Sequence, residues 1–119
     1  MFAMSIIIVE KTKGMKNMKF SNHLRNDRAD RINFILNTVG FGKIIKMVSA
    51  ARNNRPAWRC ITNTGVIVVT DESKTTILTM WIASMKQLEK IYCDEVIPET
   101  LYKRVKANEI YQFDQELLG

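Results

Sequence analysis

One histidine and a set of arginines are the residues of this chain best suited to chemistry. His23 is the only histidine, and it lies in "SNHLRNDRADR" among Arg25, Arg28 and Arg31. Arg52, Arg55 and Arg59 form a second group, with Lys43 and Lys46 shortly before it. An imidazole exchanges protons near neutral pH, and guanidinium forks hold phosphate oxygens in bidentate pairs. RNA cleavage through its own 2′-hydroxyl needs a proton acceptor, a proton donor and a cation for the phosphorane charge, and no metal. His23 and Arg59 are therefore the candidate catalytic residues. Arg25, Arg28, Arg31, Lys43, Lys46, Arg52 and Arg55 are the candidate phosphate contacts, and Trp81 is a candidate platform for a stacked base. Each has a plainer alternative: His23 as a surface residue at a helix start, the cations as a solvated basic surface, Trp81 as rim packing.

The charge distribution bears on that choice. The chain has 119 residues and a net charge of +6. From Met18 to Cys60 there are nine basic and two acidic residues, net +7; from Ile61 to the end there are six basic and nine acidic, net −3. A basic front half suits an anionic partner such as nucleic acid. With 46% hydrophobic and 25% charged residues the composition is that of one globular domain. Cys60 and Cys93 make no C-x-x-C pair, and with a single histidine they do not make an ordinary zinc site, so no metal and no cofactor is expected. Both cysteines are expected to be reduced and structural. Asp27 and Asp30 stand among arginines, which favours ion pairing over metal binding. No phosphate-binding loop, dinucleotide glycine pattern or nucleophile elbow occurs. No stretch approaches the ~20 apolar residues of a membrane span, and "MFAMSIIIV" makes a poor signal peptide, so a cytoplasmic protein is expected.

These side chains must be positioned by an α+β domain over residues 18–119. Residues 1–17 read either as an extension before a start at Met18 or as containing an edge strand at Ser5–Glu10. Ser21 caps a helix running to about Val39, stopped by Gly40 and Gly42. A second helix is expected from about Lys43 to Asn53, ended by "NNRP". Three antiparallel strands follow at about Ala57–Thr62, Val66–Thr70 and Thr75–Ala83. Ser84 and Gln87 form a capping box for the next helix, and Pro98-Glu99 open the last one. "EIYQFDQELLG" reads equally as continued helix or ordered tail. The expected architecture is a meander of three or four strands covered by helices on one face, in the order ααβββαα.

Register decides which side chains share a face. A three-residue turn at Asn63-Thr64-Gly65 pairs Thr62 with Val66, and a four-residue turn at Asp71–Lys74 pairs Thr70 with Thr75. Trp58, Cys60, Val68, Ile77, Thr79 and Trp81 would then share a threonine-rich face, and Arg59, Ile61, Ile67, Met80 and Ile82 the core face. A two-residue first turn would instead turn Arg59 toward Trp81.

"SNHLRNDRADR" followed by "RPAWRCITNTGVIVVTDESKTTILTMW" resembles small phage and prophage proteins. At the level of layout it is also similar to the RelE-type and colicin-type ribonuclease fold. That resemblance implies helices on one side of an antiparallel sheet and RNA on the other, with basic or tyrosine catalytic residues for which Arg59, Lys103, Arg104 and Tyr111 are the candidates. The leading expectation is an RNA-binding protein, RNA ahead of DNA, whose sharper form is a metal-independent ribonuclease. The alternative is a non-enzymatic phage-type inhibitor of a host defence protein or nucleoprotein complex, acting in the host cytoplasm, with Tyr102, Tyr111 and Phe113 at its interface. A homodimer and the absence of a membrane partner complete the expectations.

Overall fold

The computed structural model describes residues 18–118, so the extension or edge strand considered for residues 1–17 lies outside them. A two-residue strand β1 (Lys19–Phe20) leads into helices α1 (Asn22–Asp27) and α2 (Ala29–Thr38). Four strands follow: β2 (Ile44–Arg52), β3 (Arg55–Thr62), β4 (Val66–Asp71) and β5 (Thr76–Ile82). Helices α3 (Met85–Tyr92) and α4 (Glu99–Ala107), a 3-10 turn (Asn108–Tyr111) and helix α5 (Gln112–Leu118) complete the chain. The sheet order is β1-β5-β4-β3-β2, with β1 parallel to β5 and the other pairs antiparallel. The class is α+β, as expected, but the sheet is mixed and five-stranded and the order is not ααβββαα.

The largest correction concerns Lys43–Asn53, expected as a helix and folded as strand β2. Asn53 and Asn54 take φ values of +52° and +64°, which makes a two-residue turn with both central residues left-handed, the hairpin turn for which asparagine is suited. That turn sets Arg52 opposite Arg55 and lets β2 pair with β3 back to Ile44. "IIKMVSAAR" satisfies a helical and an alternating pattern equally, and pairing with an available strand decided between them. The other elements keep their expected signals. Leu24 N–H donates to Ser21 Oγ at 3.1 Å, and Ser84 and Gln87 form the reciprocal capping box. The helix expected from Ser21 to Val39 is broken at Arg28, whose φ of −130° separates α1 from α2.

The first hairpin has the expected register: Cys60 faces Val68 and Ile61 faces Ile67, with Gly65 at φ +87°. The second does not. Val66 faces Ile82 and Val69 faces Thr79, while Thr70 faces Ile77, so Leu78 is an extra residue in a β-bulge. The cause is local. Asp71 closes the turn through its carboxylate, accepting from the backbone N–H groups of Thr75 and Thr76 at 3.0 and 3.2 Å and from the hydroxyls of Ser73 and Thr75. Thr75 is thereby part of the loop and not Thr70's partner. Past the bulge the alternation is inverted: Met80 and Ile82 join Cys60, Val66 and Val68, and Thr79 and Trp81 join Arg59.

Both faces of the sheet are covered, which corrects the expectation of one. On the first, Phe20, Leu24, Ile32, Ile35 and Phe41 pack on Cys60, Val68, Ile77, Met80 and Ile82. On the second, Leu88, Ile91, Leu101 and Val105 pack on Ile61 and Ile67. With helices packed on both sides, the expected solvated threonine face does not form. Thr62 and Thr70 are fully buried on the first face, and their hydroxyls are used internally. Thr62 Oγ1 accepts from Val66 N–H at 3.1 Å, and Thr70 donates to the Asp71 carbonyl at 2.9 Å. The first turn is also tied to the chain after α2. Asn63 exchanges two hydrogen bonds with Lys43, and a Cβ at Gly42 would stand 2.2 Å from Asn63 Oδ1.

Strand β1 covers only the first two residues of β5, and the edge beyond is closed by a side chain. Gln115, nearly buried on α5, accepts from Ile82 N–H at 2.7 Å and donates to Ile82 C=O at 2.8 Å. One carboxamide thus takes the place of a neighbouring strand. Gln115→Ala leaves Ile82 N–H unpaired and its C=O with only the longer bond from Gln112 at 3.4 Å, and we expect a loss of about 2 kcal/mol in urea denaturation; a loss within experimental error would show that the edge is satisfied otherwise. The Asp71 turn gives a pH signature. Burial raises the Asp71 carboxyl pKa, but the hydrogen bonds from Thr75, Thr76 and Ser73 outweigh it and hold it below the ordinary value. Its contribution is therefore present above the unfolded pKa of ~3.9 and lost as pH falls through the lower folded value. Asp71→Asn should cost about 1 kcal/mol at neutral pH and flatten the acid limb of stability against pH; an acid limb identical to that of the parent chain would remove Asp71 from it.

Candidate functional site

The strand register sorts the cationic candidates. On the second face, Arg52 stands directly opposite Arg55 and Val48 directly opposite Arg59. Two arginines at one cross-strand position repel each other, which disfavours the pair unless an anion lies between them. The apolar cluster of this face includes Val48, Ile61, Ile67 and Trp81. Further toward the two tight turns the same face carries Ala57, Arg59, Val69 and Thr79, then Arg52 and Arg55. None of these three arginines belongs to an ion pair among the described residues.

Three hollows accompany this surface. A wide groove of about 770 Å³ at the turn end is lined by Arg52, Arg55, Asp71, Glu72 and Leu78, so it mixes both signs of charge. A second, of about 330 Å³, has Arg31, Trp81, Gln87, Gln112 and Glu116 in its walls. A third, of about 160 Å³, is lined by Arg59, Ile67, Trp81, Gln87 and Lys90. Trp81 and Gln87 belong to both of the smaller two. The side-chain N–H groups buried without a partner, among the described residues, are Arg31 Nε, Arg59 Nε and Trp81 Nε1, and all three residues line these hollows. Burial, then the neighbouring Arg28, lowers the Arg31 pKa.

The remaining candidates lie elsewhere. His23, Arg25 and Arg28 sit on or at the end of α1, in the helical layer of the first face, across the sheet from Arg59. His23 Nδ1 is 2.7 Å from Asp27 Oδ2, an exposed pair one helical turn apart, and Arg25 is bonded to Asn22. The structure therefore does not bring His23 to Arg59. Lys43 is exposed beside the first hairpin turn. Lys46 shares the second face but is engaged, 2.6 Å from Glu95 and 5.2 Å from the centre of the Tyr92 ring. Of the residues implied by the ribonuclease resemblance, Lys103 pairs with Glu99, Arg104 donates to the Val39 carbonyl, and the Tyr111 ring packs edge-on against Phe34. Trp58 lies on the first face, bonded to the Glu72 carbonyl with Lys74 over its ring.

Sequence reading missed Gln87 and Lys90 as wall residues. Their spacing on α3, one turn apart, was a usable signal that the capping-box assignment of Gln87 obscured. Both cysteines are free. Cys60 is buried, and burial pushes its thiol up to about 12, against the weaker pull of Lys74. Cys93 is exposed, which corrects its expected structural role. No cluster of three metal-ligating side chains and no helix long and apolar enough to cross a membrane occurs among the described residues. Comparison of the chain with protein-family models, with curated proteins and with solved structures gives no match.

Proposed function

We propose that the protein binds single-stranded nucleic acid, RNA ahead of DNA, along the turn end of the second sheet face, where Arg52 and Arg55 are exposed. The observation that carries this reading is the register that sets Arg52, Arg55, Arg59 and Trp81 on one face, with the three arginines outside any ion pair among the described residues. Arginine forks suit the phosphates, and an aromatic ring at one end suits a base. The surplus of positive charge lies in the same part of the chain. The ribonuclease form of the reading needs a proton acceptor beside Arg59, and His23 is on the opposite layer, so binding rather than cleavage is proposed.

Affinity for a short single-stranded RNA should fall linearly with salt on logarithmic axes. Arg52→Gln with Arg55→Gln should weaken binding by about fivefold per arginine and make the slope shallower by about one for each phosphate no longer neutralised. A salt-independent affinity, or a slope unchanged by the double substitution, would overturn the reading. His23→Ala should leave binding intact.

A second reading has its own observation. Ile110, Phe113 and Leu117 are 74%, 67% and 70% exposed, and they recur at helical spacing on the C-terminal turn and α5. With exposed Tyr102 they suit the phage-type inhibitor that docks on a host protein, or a homodimer. Phe113→Asp should then abolish capture of one protein from nuclease-treated host lysate without lowering RNA affinity; light scattering separates a dimer, and equal capture by the variant would sink this reading.

A further inference from the structure

The hollow of about 160 Å³ beside Arg59 has a chemistry the other two lack. Four of its five wall residues carry donors: a guanidinium, an indole N–H, a carboxamide and an ammonium. The one side-chain acceptor, Gln87 Oε1, is already taken by Ser84 N–H at 2.9 Å, which leaves its NH₂ group for a ligand. Among the described residues no carboxylate lines this hollow, whereas Asp71 and Glu72 line the wide groove and Glu116 the hollow beside Arg31. Neither Arg59 nor Lys90 is in an ion pair among the described residues.

The energetics point the same way. Two cations that share a small space without a counter-charge repel, and an anion between them turns the repulsion into attraction. Arg59 also buries its Nε without an acceptor, so no hydrogen bond inside the protein is shown holding that edge of its guanidinium. Ile67 supplies an apolar wall, and low local polarity strengthens a charged hydrogen bond. At ~30 Å³ per water the hollow has room for about five waters, enough for one tetrahedral oxyanion but not for a nucleotide.

We infer that this hollow binds a single phosphate-type oxyanion, either the terminal phosphate of a strand lying on the sheet face or free phosphate. The terminal-phosphate form rests on the nucleic-acid reading above; the oxyanion chemistry does not. Arg59 and Lys90 supply the charge, Gln87 the neutral donor, and Trp81 a wall.

The test compares one RNA sequence carrying a terminal phosphate, the same RNA ending in hydroxyls, and inorganic phosphate alone. Anisotropy reads RNA affinity and titration calorimetry reads phosphate. The phosphorylated RNA should bind about tenfold tighter than its hydroxyl counterpart, the gain of one charged hydrogen-bonded contact. That advantage should vanish in Lys90→Gln and survive in Lys90→Arg, with the parent melting temperature in both, since Lys90 is exposed. Saturable, Lys90-dependent binding of inorganic phosphate, with the two RNAs binding alike, supports the hollow and assigns it to free phosphate. Phosphate binding with no RNA binding sinks the nucleic-acid reading and leaves the hollow standing. RNA binding with no Lys90-dependent gain from either form of phosphate overturns the inference and leaves the nucleic-acid reading intact.

Discussion

The register of β5 decides which side chains share each face of this molecule, and it begins with the carboxylate of Asp71. By accepting from the backbone of Thr75 and Thr76 it draws Thr75 into the loop. Strand β5 then starts one residue later than a simple count predicts, with Thr70 facing Ile77, a two-residue shift that keeps the alternation, and the bulge at Leu78 alone inverts it. Side chains in a strand alternate between faces, so the register of β5 assigns Met80 and Ile82 to the first core and Trp81 to the side of Arg59. Without that bulge Trp81 would fall in the layer occupied by Phe20, Leu24 and Ile35, across the sheet from Arg59.

The mixed sheet has two edges, and the chain deals with them differently. At β5 the short parallel strand β1 covers one end and the carboxamide of Gln115 the other, so the C-terminal helix is held by backbone hydrogen bonds as well as by apolar contact. At β2, Lys46, Ser49 and Arg52 lie along the edge, and charge there discourages further strand pairing. The same device that protects the edge contributes to the basic surface, since Arg52 is both the last residue of the edge strand and the partner of Arg55. Edge protection alone accounts for one arginine at this turn; the like-charged pair facing one direction, with Arg59 behind it, is the arrangement on which the proposed nucleic-acid binding rests.

Local signals were legible where the physics is local. Ser21, Ser84-Gln87, Pro98 and Gly40 mark helix ends because capping and φ preferences act within a few residues, and the Asn63–Gly65 turn fixed the first hairpin for the same reason. The strand β2 was not legible. Its apolar positions suit either period, and its turn is Asn-Asn, which signals a hairpin only once a partner strand is in reach. The faces beyond Asp71 were not legible either, because a bulge inverts every later position at a cost too small to leave a mark in composition. Of the candidate site, the arginines 52, 55 and 59 were legible as a cluster, but their common face depended on β2 being a strand.

By itself the sequence determined an α+β domain with a basic front half, the residue types able to meet phosphate, and the ends of its helices, since these follow from composition and near-neighbour backbone chemistry. Only the tertiary structure decided that His23 and Arg59 lie on opposite sides of the sheet, that Arg59 and Trp81 share one side, and that Gln87 and Lys90 close a hollow between them. Those relations depend on strand pairing and on which helix lands on which face, and both are set by contacts between residues far apart in the chain.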